Sequence, residues 1–263
     1  MGGGAAGLQA ALTLGRMRIG VIVVDAGMPS NAPADAIGGL LGADHVSPLD
    51  FLAGGRAQLS ELPTVRLIEG DVTRVEADRT VELDDGTSLD ARAVLLATGM
   101  DYAYPDLPGA ADLWGTSVIH CPFCHGWEVR DASIGLLGGD DEHVERLLPM
   151  LRRLSADVEV FEAITAVRGV GGVLRAVVLP DGSEVPLEVL FVAAPPTARD
   201  ASFAHLELGR NGPLLETEDL FGKTSIPGIY AAGDLVTPAP AVVQALASAQ
   251  RAAVGITREL SVS

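Results

Sequence analysis

Apolar and polar positions along this chain switch between a helical period and a strand period, and the switching predicts an α/β fold. Small residues opened by Gly2-Gly3-Gly4-Ala5-Ala6-Gly7 read as a helix through about Gly15, followed by the apolar strand Ile19 to Asp25. Residues 26–48, rich in Gly, Pro and Asn, read as a loop. A helix is expected from Pro48 to about Leu62. Strands follow at Val65–Glu69, Val72–Glu76 and Thr80–Leu83, then a turn at Asp84-Asp85-Gly86 and a strand at Val94–Ala97. Near Ser117 the alternation begins again. The strand Ile134–Leu137 precedes a helix with Val144, Leu147, Leu148, Leu151 and Leu154 on one face, a packing stripe. The strand Val158–Phe161, a hairpin at Asp181-Gly182 and the strand Val189–Ala193 complete this unit. From about Arg199 the chain returns to the first unit and ends in a helix from Pro240 to Glu259. Two glycine-rich strand–helix beginnings predict two related α/β units, one inserted in the other.

Composition narrows what such a chain does. Its 263 residues are 48% hydrophobic and 20% charged, enough for a real core in one large domain or two modest ones. A formal net charge of −17 leaves no basic footprint for nucleic acid or an anionic membrane. No apolar run approaches the roughly 20 residues that span a bilayer. The apolar N-terminus lacks the basic start of a secretory signal, so a cytoplasmic location is expected.

Both cysteines sit in Cys121-Pro122-Phe123-Cys124. A staple would tie distant segments together, and structural zinc needs four ligands, so an isolated C-x-x-C reads first as a redox pair. Gly2-x-Gly4-x-x-Gly7 fits the dinucleotide fingerprint: a tight turn, close approach to a pyrophosphate, and close helix–sheet packing. Free N–H groups of the helix start at Ala5 would face the phosphates. Asp25, 18 residues after Gly7 at the end of the next strand, is placed to accept hydrogen bonds from a ribose. Two later segments fit the same reading. Thr98-Gly99 ends a buried strand, and Gly228 to Asp234 joins a strand to the last helix. There Gly233 would let backbone approach a cofactor, and Asp234 would bond its ribityl chain. A plain turn at Thr98-Gly99 and an N-cap at Asp234 are the alternatives. His45 and His205 show no partner.

These segments, in this order with C-x-x-C between them, resemble the thioredoxin-reductase-like, two-domain flavoprotein disulfide oxidoreductases over nearly the whole chain. His120-Cys121-Pro122-Phe123-Cys124-His125-Gly126-Trp127-Glu128 carries His125 where bacterial thioredoxin reductases carry Asp. That variant resembles the branch with the gliotoxin and holomycin dithiol oxidases. The resemblance implies two Rossmann-like, three-layer ββα-type domains. The FAD domain is discontinuous, residues 1–114 and 200–263, and a shortened NAD(P)-domain homologue at 115–199 is inserted in it and carries the C-x-x-C. It also implies FAD as cofactor, Cys124 on the flavin side, Asn31 of Asn31-Ala32-Pro33 at the isoalloxazine, and a homodimer.

NADPH is not expected to bind. The second fingerprint falls on Gly138, Asp140 and His143, and a carboxylate at its middle position repels a pyrophosphate. After Phe161 comes Glu162-Ala163-Ile164-Thr165, with no Arg pair for a 2′-phosphate. About one helix and one strand of the unit are missing. Electrons are therefore expected from thiols. A small dithiol reduces the Cys121–Cys124 disulfide, the pair reduces FAD, and oxygen or another acceptor reoxidises it. His125 is the favoured acid/base and His120 the weaker candidate; charged, the two imidazoles would lower the cysteine pKa values. The alternatives are a thioredoxin-disulfide reductase, driven by NADPH or another donor and acting on a thioredoxin-like protein, and a degenerate flavoprotein without catalysis. No metal site is expected. Because a dinucleotide-binding unit begins with a buried strand before its fingerprint, further Val/Ile-rich residues are expected upstream of Met1.

Overall fold

The computed structural model describes residues 1–138 and 141–262. Its α-helices are α1 (Ala5–Arg16), α2 (Pro48–Ser60), α3 (Pro122–His125), α4 (Asp141–Leu154) and α5 (Val242–Val262). None of the described helices is long and apolar enough to cross a membrane. The chain divides into two compact units. The first holds residues 1–30, 49–101 and 196–262; the second holds 31–48 and 102–195.

The first unit is built on parallel strand pairs. Strand β1 (Val21–Asp25) pairs with β2 (Val65–Glu69), and Val94–Leu96 pairs with Ile229–Ala231. The first residues of the chain bridge the two pairs: Gly2 N–H donates to the Val24 carbonyl (2.8 Å), and Ala97 N–H to the Met1 carbonyl (3.0 Å). The same unit holds an antiparallel meander of Val72–Val75, Thr80–Leu83 and Ser88–Asp90 and a short antiparallel pair, Arg210–Asn211 with Leu214–Leu215. Helices α1 and α5 pack through small side chains, Ala6 and Ala10 against Ala249, Ala252 and Ala253, around the buried Tyr230. Alanine keeps two backbones close at no side-chain entropy cost. On the other side of α1, Leu8 and Ala11 join Val23 of β1 and Leu52 and Leu59 of α2. That contact fixes α2 beside the start of α1.

The second unit has a four-stranded parallel sheet in the order Val158–Phe161, Ile134–Leu137, Val189–Phe191, Val118–Ile119. The apolar stripe of α4 packs on it as its period predicts: Leu147 and Leu151 are buried against Ile119, Ile134, Leu136, Val189 and Phe191. An antiparallel meander, Ala166–Val170, Val173–Val178 and Glu184–Pro186, packs a second cluster through Val167, Leu174 and Val177 with Phe161 and Leu190. The result is helix, sheet and meander, the expected three layers. From Phe161 the chain runs to the meander at Ala166 with no helix between, so the unit is short.

The unit boundaries differ from the sequence expectation. Residues 31–48 and 102–114 cluster with the second unit instead of the first, and the first resumes at Pro196. Ala110 and Leu113 are buried with Val118, Val167 and Leu174. In the 31–48 segment Gly38 lies so close to the C-x-x-C helix that a Cβ there would stand 2.0 Å from the Cys124 carbonyl oxygen. A loop carries no periodicity, and these contacts decide its membership.

Candidate active site

In the first unit the fingerprint is a turn from Met1 into α1. Gly2 takes φ +90°, open only to glycine at low cost, and a Cβ there would lie 2.3 Å from the Ala97 carbonyl oxygen. A Cβ on Gly7 would lie 1.8 Å from the Gly2 carbonyl oxygen, so this glycine lets helix and turn touch. Gly4 differs. It is the N-cap of α1, no side chain caps the helix start, and a Cβ on it would meet nothing within 4 Å. Gly4 and Ala5 therefore present uncapped helix N–H groups to open space, which is what a dinucleotide pyrophosphate needs. Gly2, Gly4, Ala5 and Gly7 are the residues that would hold the pyrophosphate of FAD here.

Asp25 ends β1 beside the turn. Its Oδ1 accepts from Gly3 N–H (2.9 Å), and its Oδ2 from Arg56 of α2 (2.5 Å). Arg56 also reaches toward the Gly3 carbonyl at 3.4 Å. The sequence reading missed Arg56; the only signal is that it lies four residues after Leu52 and three before Leu59, on their face of α2.

Thr98 and Gly99 follow the strand Val94–Leu96, next to Gly2. The Thr98 hydroxyl donates to the Arg199 carbonyl (2.6 Å), and the Arg199 guanidinium binds Asp101 and the Met28 carbonyl. Thr98 thus fastens the returning chain. Gly233, with only Ala6 Cβ (3.0 Å) near its would-be Cβ, donates its N–H to the buried Ser248 hydroxyl (2.9 Å) on α5. Asp234 follows in the same short 3₁₀ turn, Gly233–Leu235. Ser248 is the anchor of this turn.

In the second unit Cys121 and Cys124 form a disulfide, their Cα atoms 5.3 Å apart, with Pro122 opening α3. Phe123 and Trp127 are exposed, and Arg130 stacks over the Trp127 ring at 4.0 Å. Both ring nitrogens of His125 are buried without a hydrogen-bond partner among the described residues. Burial lowers its pKa; the Cys121 backbone, Glu128 and Asp35 oppose the shift. His120 lies between two rings: Tyr102 stacks at 5.1 Å and Trp114 at 5.4 Å. Burial, with a smaller push from His125, takes its pKa down to about 4. Enclosure between the two rings removes the solvation that a cation needs and so favours the neutral form of His120.

His45 and His205 do have neighbours. His45 lies 3.4 Å from Glu128 and 3.2 Å from Asp44, and His205 lies 3.7 Å from Glu76. Asn31 stands exposed in the second unit, on a turn closed by Ala34 N–H to its carbonyl (3.1 Å). So the first unit gathers Gly2, Gly4, Ala5, Gly7, Asp25, Thr98, Gly99, Gly233 and Asp234, and the second gathers His120, Cys121, Cys124, His125 and Asn31. In the broken second fingerprint, Gly138 donates its N–H to the Phe161 carbonyl (2.9 Å) and His143 lies in α4; Asp140 falls outside the described residues. No group of three His, Cys, Asp or Glu among the described residues could hold a metal ion.

Comparison with known proteins agrees with this geometry. Residues 1–139 and 133–253 match the pyridine nucleotide-disulphide oxidoreductases. The chain is 34% identical to a Claviceps purpurea protein named thioredoxin reductase tcpT, over 89% of this chain and 84% of that one. It is 32% identical to thioredoxin reductase sirT of Leptosphaeria maculans, over 97% and 91%. The crystal structure of HlmI superposes with a TM-score of 0.92 at 34% identity, covering 99% of this chain and 91% of HlmI. On that similarity, which runs nearly end to end, the chain belongs to the pyridine nucleotide-disulphide oxidoreductase family, as a thioredoxin-reductase-like FAD disulfide oxidoreductase.

Proposed function

We propose that the protein is a dithiol oxidase that closes a disulfide in a small dithiol. The observation that carries this reading is the Cys121–Cys124 disulfide with His125, a largely buried imidazole, directly after Cys124 in the short helix α3. An imidazole at this position is the group assigned to exchange protons with sulfur. The substrate's first thiol gives its proton to His125, and its thiolate attacks Cys121 Sγ. This forms a mixed disulfide and releases the Cys124 thiolate. The second substrate thiolate then attacks the substrate sulfur of that bond and releases Cys121. The substrate leaves as a disulfide, and the cysteine pair holds its two electrons. FAD bound at the fingerprint would take these electrons from Cys124, the flavin-side cysteine by family resemblance, and deliver them to oxygen.

Thiols are favoured over NADPH as the electron source because the second unit runs from Phe161 into its meander through Glu162-Ala163-Ile164-Thr165, without an arginine for a 2′-phosphate. The relatives' names favour a second reading, a thioredoxin reductase fed by NADPH or by another carrier. Anaerobic titration of the flavin absorbance separates the two. Dithiothreitol alone should bleach the flavin, and air should restore the colour and yield peroxide. Rapid bleaching by NADPH would overturn the oxidase in favour of the reductase. A wild-type protein that takes up no flavin would overturn both.

A further inference from the structure

We infer that Arg56 is a positioning residue for the adenosine half of FAD, holding the Asp25 carboxylate and the Gly3 peptide in the arrangement that receives the ribose; this rests on the assignment of FAD to the first unit. The contact is more than a surface ion pair. Asp25 uses one oxygen for Gly3 N–H (2.9 Å) and the other for Arg56 (2.5 Å), and Arg56 extends toward the Gly3 carbonyl (3.4 Å). Both polar groups of Gly3 are thereby tied to the pair, next to Gly4 and the open start of α1.

A carboxylate offers about four acceptor positions, two on each oxygen. Gly3 and Arg56 occupy one on each oxygen, which leaves one on each for the two adjacent hydroxyls of a ribose. The guanidinium also offsets the Asp25 charge where a pyrophosphate must approach, in a chain with a net charge of −17. The pair is not needed to dock α2, because Leu52 and Leu59, 3% and 1% exposed, already do so. What Arg56 adds falls on the turn.

The test uses the flavin-loaded 263-residue chain. Dissociation is read from free-flavin fluorescence on dilution, for FAD and for FMN, which lacks adenosine. Arg56→Met, which keeps most of the stem, should raise the FAD Kd about tenfold, the loss expected for one charge-assisted hydrogen bond. The FMN Kd should stay within about twofold. Arg56→Lys should recover part of the loss, since it restores charge without the planar fork. In an Asp25→Asn background the Arg56→Met effect should shrink, because the two residues act as one unit. An unchanged FAD Kd in Arg56→Met would overturn the inference while leaving the flavoprotein intact, and so would equal losses for FAD and FMN. No FAD uptake by the wild-type chain would instead remove the FAD assignment itself.

Discussion

Replacing His120 with Phe should make the second unit less sensitive to acid. His120 stacks between Tyr102 and Trp114, and burial holds its pKa at about 4 against 6.5 in the unfolded chain. The folded-state pKa is depressed, so between pH 6.5 and 4 the unfolded chain binds more protons than the folded one. Stability therefore rises with pH across this window and falls as the solution is acidified through it. The full difference is about 3 kcal/mol below pH 4, and about 2 kcal/mol of it is already lost at pH 5. Phe keeps a ring in the stack and removes the titration. Both tryptophans, Trp114 and Trp127, lie in this unit, so their fluorescence in urea reports its unfolding. With an m-value of about 2 kcal/mol/M, the wild-type midpoint should fall about 1 M further between pH 7.5 and 5 than that of His120→Phe. Titrating groups that do not touch His120 act on both proteins and cancel in the comparison, and the His120–His125 repulsion is the smaller cause of the shift. Equal pH dependence in the two proteins, or an imidazole pKa above 6 measured by NMR, would refute the argument.

The parts of the molecule legible in the sequence are those fixed by local periodicity or by a backbone demand. The stripe from Val144 to Leu154 specifies α4 because one helix face must be apolar over consecutive turns, and the structure buries Leu147 and Leu151. Gly2 and Gly7 were legible because a turn this tight admits no side chain. Arg56 was not, because a charge on a helix looks solvated until the fold brings it to Asp25, 31 residues earlier. The enclosure of His120 depends on rings at 102 and 114, which no local pattern links to the cysteines. Ser248 was not legible as a site residue. Its use, accepting the Gly233 N–H, exists only once α5 packs behind that turn. Sequence pattern reports what a segment does for itself. Long-range polar pairs report what two segments do for each other, and these set the site.

Two substitution experiments probe that distinction. Ser248→Ala removes the acceptor of the buried Gly233 N–H and should lower the stability of the protein by about 1–3 kcal/mol, read as a fall in Tm of the flavin-loaded chain; an unchanged Tm would mean another group holds Gly233. Gly7→Ala and Gly4→Ala should fail differently. At Gly7 the new methyl would stand 1.8 Å from a backbone oxygen, so the turn must move, and both folding and FAD uptake should be lost. At Gly4 the methyl meets nothing in the protein and enters only the space assigned to the pyrophosphate. The flavin-free Tm of Gly4→Ala should therefore match the wild type while its FAD Kd rises at least tenfold, a loss of about 1.4 kcal/mol. Wild-type FAD affinity in Gly4→Ala would show that the phosphates lie elsewhere, because a methyl group aimed into an occupied cradle cannot be neutral.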